Sequence, residues 1–387
     1  MEETKVYMDH AATSFLREEA LQEMLPYLKE EYGNPSSIYT LGRQARKAVD
    51  LARERTAKAI GAQEDEIYFT SGGTEANNIS IRGFLKHYGE KGHVITSAVE
   101  HHAVLDVCEE LSEEGYDVTY LPVDEYGLIN MEDLQKAIKE DTILITIMTA
   151  NNEVGTIQPV EEVGALAREK GIIFHTDAVQ AVGHIPLDIN EVKADMLSFS
   201  AHKFNGPKGV GGMYIRKGVK LAPLYRGGAQ EKKVRPGTEN VPGIIGLGKA
   251  LELAVEEIPE KMDQYIHMRD KFIEELQSID HVILNGHPTR RLPNNINVSF
   301  EFIEGESLLL ALDMEGIAAS SGSACTSGTL DPSHVLLAMG LDHQTAHGSI
   351  RFSLGKGNTS EDVEYVLEKV KPVVERLRHM SAVNHRI

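Results

Sequence analysis

Short runs rich in β-forming residues recur along the first two thirds of the chain, separated by stretches with helical periodicity. This alternation constrains the fold more than any other feature. The runs fall at 66–70, 93–97, 118–122, 143–149, 172–176, 196–200 and 210–215. Between them, segment 103–111 places Val104, Val107, Cys108 and Leu111 at i, i+3, i+4 and i+7, the apolar stripe of a half-buried helix. Strands separated by helices imply crossover connections, and hence an α/β architecture: a mostly parallel sheet covered by helices on both faces. Beyond Pro242 the pattern changes to helices at 244–257 and 263–277, strands at 295–300 and 349–352, and a last amphipathic helix from Ser360. The expected organisation is a large domain at 14–243 holding a seven-stranded sheet. A smaller α+β domain would be formed by 1–13 and 244–387.

A chain of 387 residues buries an ample core without disulfides or structural metal. Its net charge of −20 repels phosphate backbones and anionic lipid, so neither nucleic acid nor a membrane surface is an expected partner. No run approaches the ~18 apolar residues of a membrane span. Met1-Glu2-Glu3-Thr4-Lys5 is no signal peptide, so a cytoplasmic protein is expected. The two cysteines, Cys108 and Cys325, sit far apart in unlike surroundings, which fits single thiols in a reducing compartment rather than a disulfide or zinc motif.

Chemistry-bearing residues cluster where strands end. Segment 67–78 passes from a strand through Ser71-Gly72-Gly73 into a helix start at Thr74. Free N–H groups and the Thr74 hydroxyl there can hold a phosphate with help from the helix dipole, although the same residues also make an ordinary capped turn. Asp177 follows strand 172–176, at the edge where doubly wound sheets bind ligands. It can pair with a protonated ring nitrogen while Gln180 reaches a second polar atom, or it can simply cap a helix. Lys203 follows strand 196–200 beside His202 and ahead of Gly/Pro turns, a position suited to a desolvated amine that forms a Schiff base. A phosphate cradle, an acid and a lysine, each at a strand end, form the set that pyridoxal 5′-phosphate requires. In Glu100-His101-His102 one imidazole can stack on such a cofactor and move protons near neutral pH. A metal cluster of His101, His102, His175 and His202 lacks recognised ligand spacing, and no metal is expected.

With these residues in place, the chain closely resembles the cysteine desulfurases. It is most similar to the group I enzymes of iron–sulfur cluster and nitrogenase maturation, which are class V aminotransferase-like pyridoxal-phosphate enzymes. The likeness runs from Tyr7-Met8-Asp9-His10-Ala11-Ala12-Thr13 to about Gly355. It includes Gly33-Asn34-Pro35-Ser36-Ser37, Ser71-Gly72-Gly73-Thr74-Glu75, Asn151-Asn152-Glu153-Val154-Gly155-Thr156-Ile157-Gln158 and Arg235-Pro236-Gly237-Thr238-Glu239-Asn240. The most specific motif is Ser321-Gly322-Ser323-Ala324-Cys325-Thr326-Ser327, similar to the group I active-site loop. Small departures stand at His10, Pro236 and Lys356, none of which removes a group with a direct role.

The resemblance implies a fold type I pyridoxal-phosphate-dependent transferase that converts L-cysteine to L-alanine and leaves a persulfide on Cys325. Lys203 would bind the cofactor aldehyde. Gly73, Thr74, Ser200 and His202 would hold its phosphate, joined by Thr238 of a neighbouring subunit in a homodimer with shared sites. Asp177 would face the pyridine nitrogen, Gln180 the phenolic oxygen, and His101 would stack on the ring. Asn152 and Arg351 would hold the substrate carboxylate, a task suited to a bidentate guanidinium. The small residues around Cys325 predict an accessible thiol on a mobile loop, able to pass sulfur to an acceptor or iron–sulfur scaffold protein and to touch a cluster only in transit. Cys108, on an apolar helix stripe, reads as inert core. Two other readings are a selenocysteine lyase or other small-substrate enzyme on the same fold, and a retired dimer acting as a scaffold. The presence of Lys203, Asp177 and Cys325 together argues against the last.

Overall fold

The computed structural model describes residues 5–321 and 332–380. A short N-terminal strand β1 (Val6–Tyr7) precedes the strands of the large sheet. These are β2 (Ile67–Thr70), β3 (His93–Ser97), β4 (Asp117–Leu121), β5 (Thr142–Thr146), β6 (Ile173–Asp177), β7 (Met196–Ser200) and β8 (Gly211–Ile215). Each of the seven β-rich runs therefore forms a strand. The sheet order is β2-β8-β7-β6-β5-β3-β4, and β8 alone runs against its neighbours. Alternate residues feed two separate cores, with Ile95, Ile145 and Leu197 on one face and Val94, Leu144 and Met196 on the other. Burial on both faces explains why these strands read as near-continuous apolar runs.

Three further strands, β9 (Val282–Leu284), β10 (Asn295–Phe300) and β12 (Ser349–Ser353), make a small antiparallel sheet in the order β12-β10-β9. β11 (Ile317–Ala318) pairs in parallel with β1. Ile296, Val298 and Phe300 alternate into a further core with Ile350 and Phe352, while Asn295, Asn297, Arg351 and Ser353 are buried on the opposite face.

One expectation needs correction. The two helices read at 244–257 and 263–277 are a single helix, Val241–Gln277, which continues through Pro259. Proline removes one backbone donor and so weakens a helix interior. Here packing at both ends carries the helix through it. Ile244, Leu247 and Leu251 sit in the large-sheet core, while Met268, Phe272 and Leu276 sit in the small-sheet core. Among the described residues no helix is long and apolar enough to cross a membrane.

Two ionisable groups are locked inside the large sheet. The His175 ring lies between strands, with Nδ1 2.8 Å from Thr146 Oγ1 and Nε2 3.0 Å from Ser198 Oγ. Burial pushes its pKa down to about 3, so it is neutral. Glu100 ties the end of β3 to the end of β5: its Oε1 accepts from Ser97 Oγ at 2.7 Å and from Met148 N–H at 2.9 Å. Its Oε2 is buried with no partner among the described residues. Burial lifts the carboxyl from 4.5 to about 8, so it is protonated at neutral pH. A carboxyl raised in the folded state stabilises fully below its unfolded pKa and loses that contribution as pH climbs through the folded value. Glu100→Gln keeps the acceptor and mimics the neutral acid. It is expected to raise Tm above wild type at pH 8 and higher, with the gap closing toward pH 5. A pH-independent offset in thermal unfolding would refute this assignment.

Candidate active site

The C-terminal ends of β3, β5, β6 and β7 and the turn after β2 open onto one place, and the N-terminal segment crosses over it. Lys203 lies in the 3₁₀ turn Ala201–Lys203 directly after β7. Its Nζ donates to the carbonyls of Ala11 at 2.5 Å and Ala12 at 2.9 Å. The amide of Gln180 donates to the same Ala11 oxygen at 2.9 Å, which brings Gln180 beside the lysine. Ser14 fixes the crossing segment further along, where its N–H and hydroxyl both donate to the His202 carbonyl.

Asp177 is the last residue of β6 and is buried. Its Oδ2 accepts from Asn77 Nδ2 at 2.6 Å and its Oδ1 from the Val179 N–H at 2.9 Å. Two donors hold the carboxylate in place. His101 caps the helix His102–Glu113 by accepting the Ala103 N–H on Nδ1 at 3.0 Å. The proton of the neutral ring therefore sits on Nε2. Burial lowers the His101 pKa, opposed by the Asp177 carboxylate and reinforced by the Lys203 ammonium. His102 is the more exposed of the pair and faces Asp106 at 3.1 Å instead. The resemblance assigns the stacking role to His101 because it directly follows Glu100, and in the structure the Asp177 carboxylate and the Lys203 ammonium both act on its ring.

Gly73 and Thr74 open the helix Gly73–Tyr88, and the first backbone bond returning to the turn is from Ala76 N–H to Gly72 O at 3.1 Å. The three preceding N–H groups thus have no intrahelical acceptor. Ser200, buried at the end of β7, lies alongside: a Cβ built on Gly72 would stand 3.8 Å from its hydroxyl. His202 contacts Thr13 Oγ1 through Nδ1 at 3.1 Å, and burial with help from Lys203 and Lys208 drives its pKa down to about 4. Neutral imidazole, hydroxyl and unused helix N–H groups are all phosphate donors. With Asp177 for a pyridinium and Lys203 for an aldehyde, the residues present fit pyridoxal 5′-phosphate.

Arg351 on β12 is buried to 3% exposure and forms an ion pair with Asp9 at 3.0 Å. Its Nη1 donates to the Asn152 carbonyl at 2.8 Å, and its Nε is buried with no partner among the described residues. Arg351 and Asn152, read from separate motifs, are therefore in direct contact. Thr238 is exposed and makes no hydrogen bond to this cluster within its own chain. Cys325 lies outside the described residues. Cys108 is fully buried, and burial pushes its thiol up to about 12.

Sequence reasoning missed Asn77 and Asp9 as site residues. Asn77 sits one helical turn after Gly73, on the face of that helix turned to the sheet, and its position there is the only signal. Asp9 belongs to a quoted motif but meets its partner 342 positions away.

A family model for aminotransferase class-V matches residues 6–366. Cysteine desulfurase IscS of Methanosarcina thermophila is 58% identical over 98% of this chain and 94% of its own. The enzyme of the same name from Dictyoglomus turgidum is 55% identical over 97% of this chain and 96% of its own. Among solved structures, a NifS-like protein superposes with a TM-score of 0.91 at 42% identity, covering 96% of this chain and all of that one. SspA in complex with cysteine superposes with a TM-score of 0.81 at 38% identity, covering 90% of this chain and 99% of its own. Similarity of this extent, over a site whose residues fit pyridoxal phosphate, shows that the chain belongs to the aminotransferase class-V family, among its cysteine desulfurases.

Proposed function

We propose that the protein removes sulfur from L-cysteine, releases L-alanine and carries the sulfur as a persulfide on Cys325. The observation that carries this reading is the meeting of Lys203, Asp177 and His101 at one sheet edge, beside the phosphate-binding helix start. In the net change, L-cysteine and the Cys325 thiol give L-alanine and Cys325–S–SH, so atoms and electrons balance without an external oxidant.

Pyridoxal phosphate, bound through Lys203, supplies the electron withdrawal that makes the substrate sulfur open to attack. The chain's own groups do the rest. Asp177, fixed by Asn77 and Val179, keeps the pyridine nitrogen protonated. Arg351 and Asn152 orient the substrate carboxylate, and the unpartnered Arg351 Nε–H is a buried donor suited to it. Lys203 Nζ and the His101 Nε2–H move protons at the substrate carbons and sulfur. Cys325, as thiolate, takes the sulfur atom.

We read Thr238 as completing the phosphate site of a neighbouring copy in a homodimer. Its exposure supports this, as does the exposed apolar surface of Tyr32, Ile38 and Tyr39, with Ile38 at 91%. We also read the chain as a cofactor-binding domain at 14–243 and a smaller domain of 1–13 and 244–387. Val6 and Met8 packing into the small-sheet core supports that division. In keeping with the cluster-maturation enzymes it resembles, the persulfide passes to an acceptor protein.

Incubation with L-cysteine and a mild reductant is expected to yield alanine and sulfide in equal amounts. Lys203→Ala loses both products together with the visible absorption of lysine-bound cofactor. Cys325→Ala loses both while keeping that absorption. Undiminished alanine from Cys325→Ala would remove the thiol from the reaction. Thr238→Ala is expected to weaken cofactor retention about tenfold, the loss of roughly one phosphate hydrogen bond. Unchanged retention on dialysis, or a monomer by sedimentation, would contradict the shared site.

A further inference from the structure

Strands β10 and β12 of the small sheet present a buried polar face. Asn295, Asn297 and Ser299 on β10 alternate with core residues, and Ser349, Arg351 and Ser353 do the same on β12. Polar side chains out of water persist where partners satisfy them. Ser299 is met by Asn285 and Ser353 by the N-terminal segment, whereas Arg351, Asn297 and Asn295 turn to the backbone of loop 151–158, the segment that follows β5 and carries Asn152. Arg351 Nη1 donates to the Asn152 carbonyl at 2.8 Å. Asn297 Nδ2 and Asn295 Nδ2 both donate to the Glu153 carbonyl, at 3.0 and 3.2 Å. Arg291 Nη2 donates to the Val154 carbonyl at 3.0 Å, and Leu292 N–H to that of Gly155 at 2.8 Å. Four consecutive carbonyls of the loop are thus gripped from the small sheet and its approach.

The grip is tight enough to dictate sequence. Gly155 has φ +79°, and a Cβ there would meet the Asn295 side chain at 2.8 Å. Asn297 is also held from behind, since its Oδ1 accepts from Asn285 Nδ2 at 2.8 Å, which fixes which way its NH₂ points. In the β10–β12 register Asn297 stands directly opposite Arg351. The pair therefore addresses the two carbonyls that flank the Glu153 Cα, the first in the Asn152–Glu153 peptide and the second in the Glu153–Val154 peptide. Holding both carbonyls fixes the two peptide planes that meet at Glu153, and through the first of them the backbone that leaves Asn152.

We propose that Asn297 and Asn295 are positioning residues for substrate binding: their amides grip the Glu153 carbonyl and thereby aim Asn152 at the substrate carboxylate beside Arg351. This rests on the reading of Asn152 given above. Misplacing such a group affects binding far more than folding, because a hydrogen-bonding constellation works only within a narrow geometry. Neither asparagine touches substrate in this account.

The test compares Asn297→Leu and Asn295→Leu with Asn152→Ala, alone and combined, in cofactor-loaded protein turning over L-cysteine. Leucine keeps the volume and removes the donor. Each leucine variant is expected to raise KM about tenfold, equal to about 1.4 kcal/mol, with kcat changed less and the cofactor absorption intact. In the Asn152→Ala background the leucine substitutions are expected to add nothing, since they act through that residue. A KM raised by Asn152→Ala but untouched by both leucine variants would overturn the proposal and leave the Asn152 reading standing. Additive effects would overturn it too, as would loss of folded, cofactor-loaded protein in both leucine variants, which would make the amides structural. An unchanged KM for Asn152→Ala would sink that reading and the proposal with it.

Discussion

A guanidinium buried almost completely at position 351 has to be answered from several directions, and much of the site follows from how it is answered. Asp9 of the N-terminal segment supplies the counter-charge, and the Asn152 carbonyl of the loop after β5 accepts a second bond. The backbone of Arg351 exchanges hydrogen bonds with Ser320, the last turn of chain before the segment that carries Cys325. An unpaired charge at that depth would cost several kcal/mol. The N-terminal strand, the large-sheet loop and the small sheet are thereby bound to a single cation. One N–H of that cation remains without a partner, where a substrate carboxylate can use it.

The N-terminal segment answers a half-buried amine, Lys203, in the same manner. Ala11 and Ala12 turn their carbonyls to Lys203, and Ala11 shares its oxygen with Gln180. A stretch of fewer than ten residues thus supplies groups to both charged centres, Arg351 and Lys203. Burial beside Lys203 drives the His202 pKa down to about 4 and lowers that of His101, the latter against the pull of the Asp177 carboxylate. The two cations are thus matched by two carboxylates, Asp9 against Arg351 and Asp177 near Lys203.

How much of this was legible depends on whether a partner is local in sequence. The large-sheet strands and the motifs at their ends were readable because apolar runs and turn chemistry are local signals. The strand Met196–Ser200 and the turn that carries Lys203 are adjacent in the chain as well as in space. The pairing of Asp9 with Arg351 and of Asn77 with Asp177 joins residues hundreds or a hundred positions apart, and no periodicity announces it. The strand Asn295–Phe300 was visible as an alternation, but its polar face reads as solvent-facing until the loop that covers it is seen. The gap read between 257 and 263 contains Pro259, a local breaker that packing at both ends of the helix overrules.

The central claim, that one thiol carries sulfur away from cysteine while the other is sealed in the core, is tested most directly by peptide mass spectrometry. The loaded protein is incubated with L-cysteine without reductant, alkylated and digested. The Cys325 peptide is expected to gain the mass of one sulfur atom and the Cys108 peptide none. Alanine release with no added sulfur on Cys325, or with sulfur on Cys108, would contradict the account.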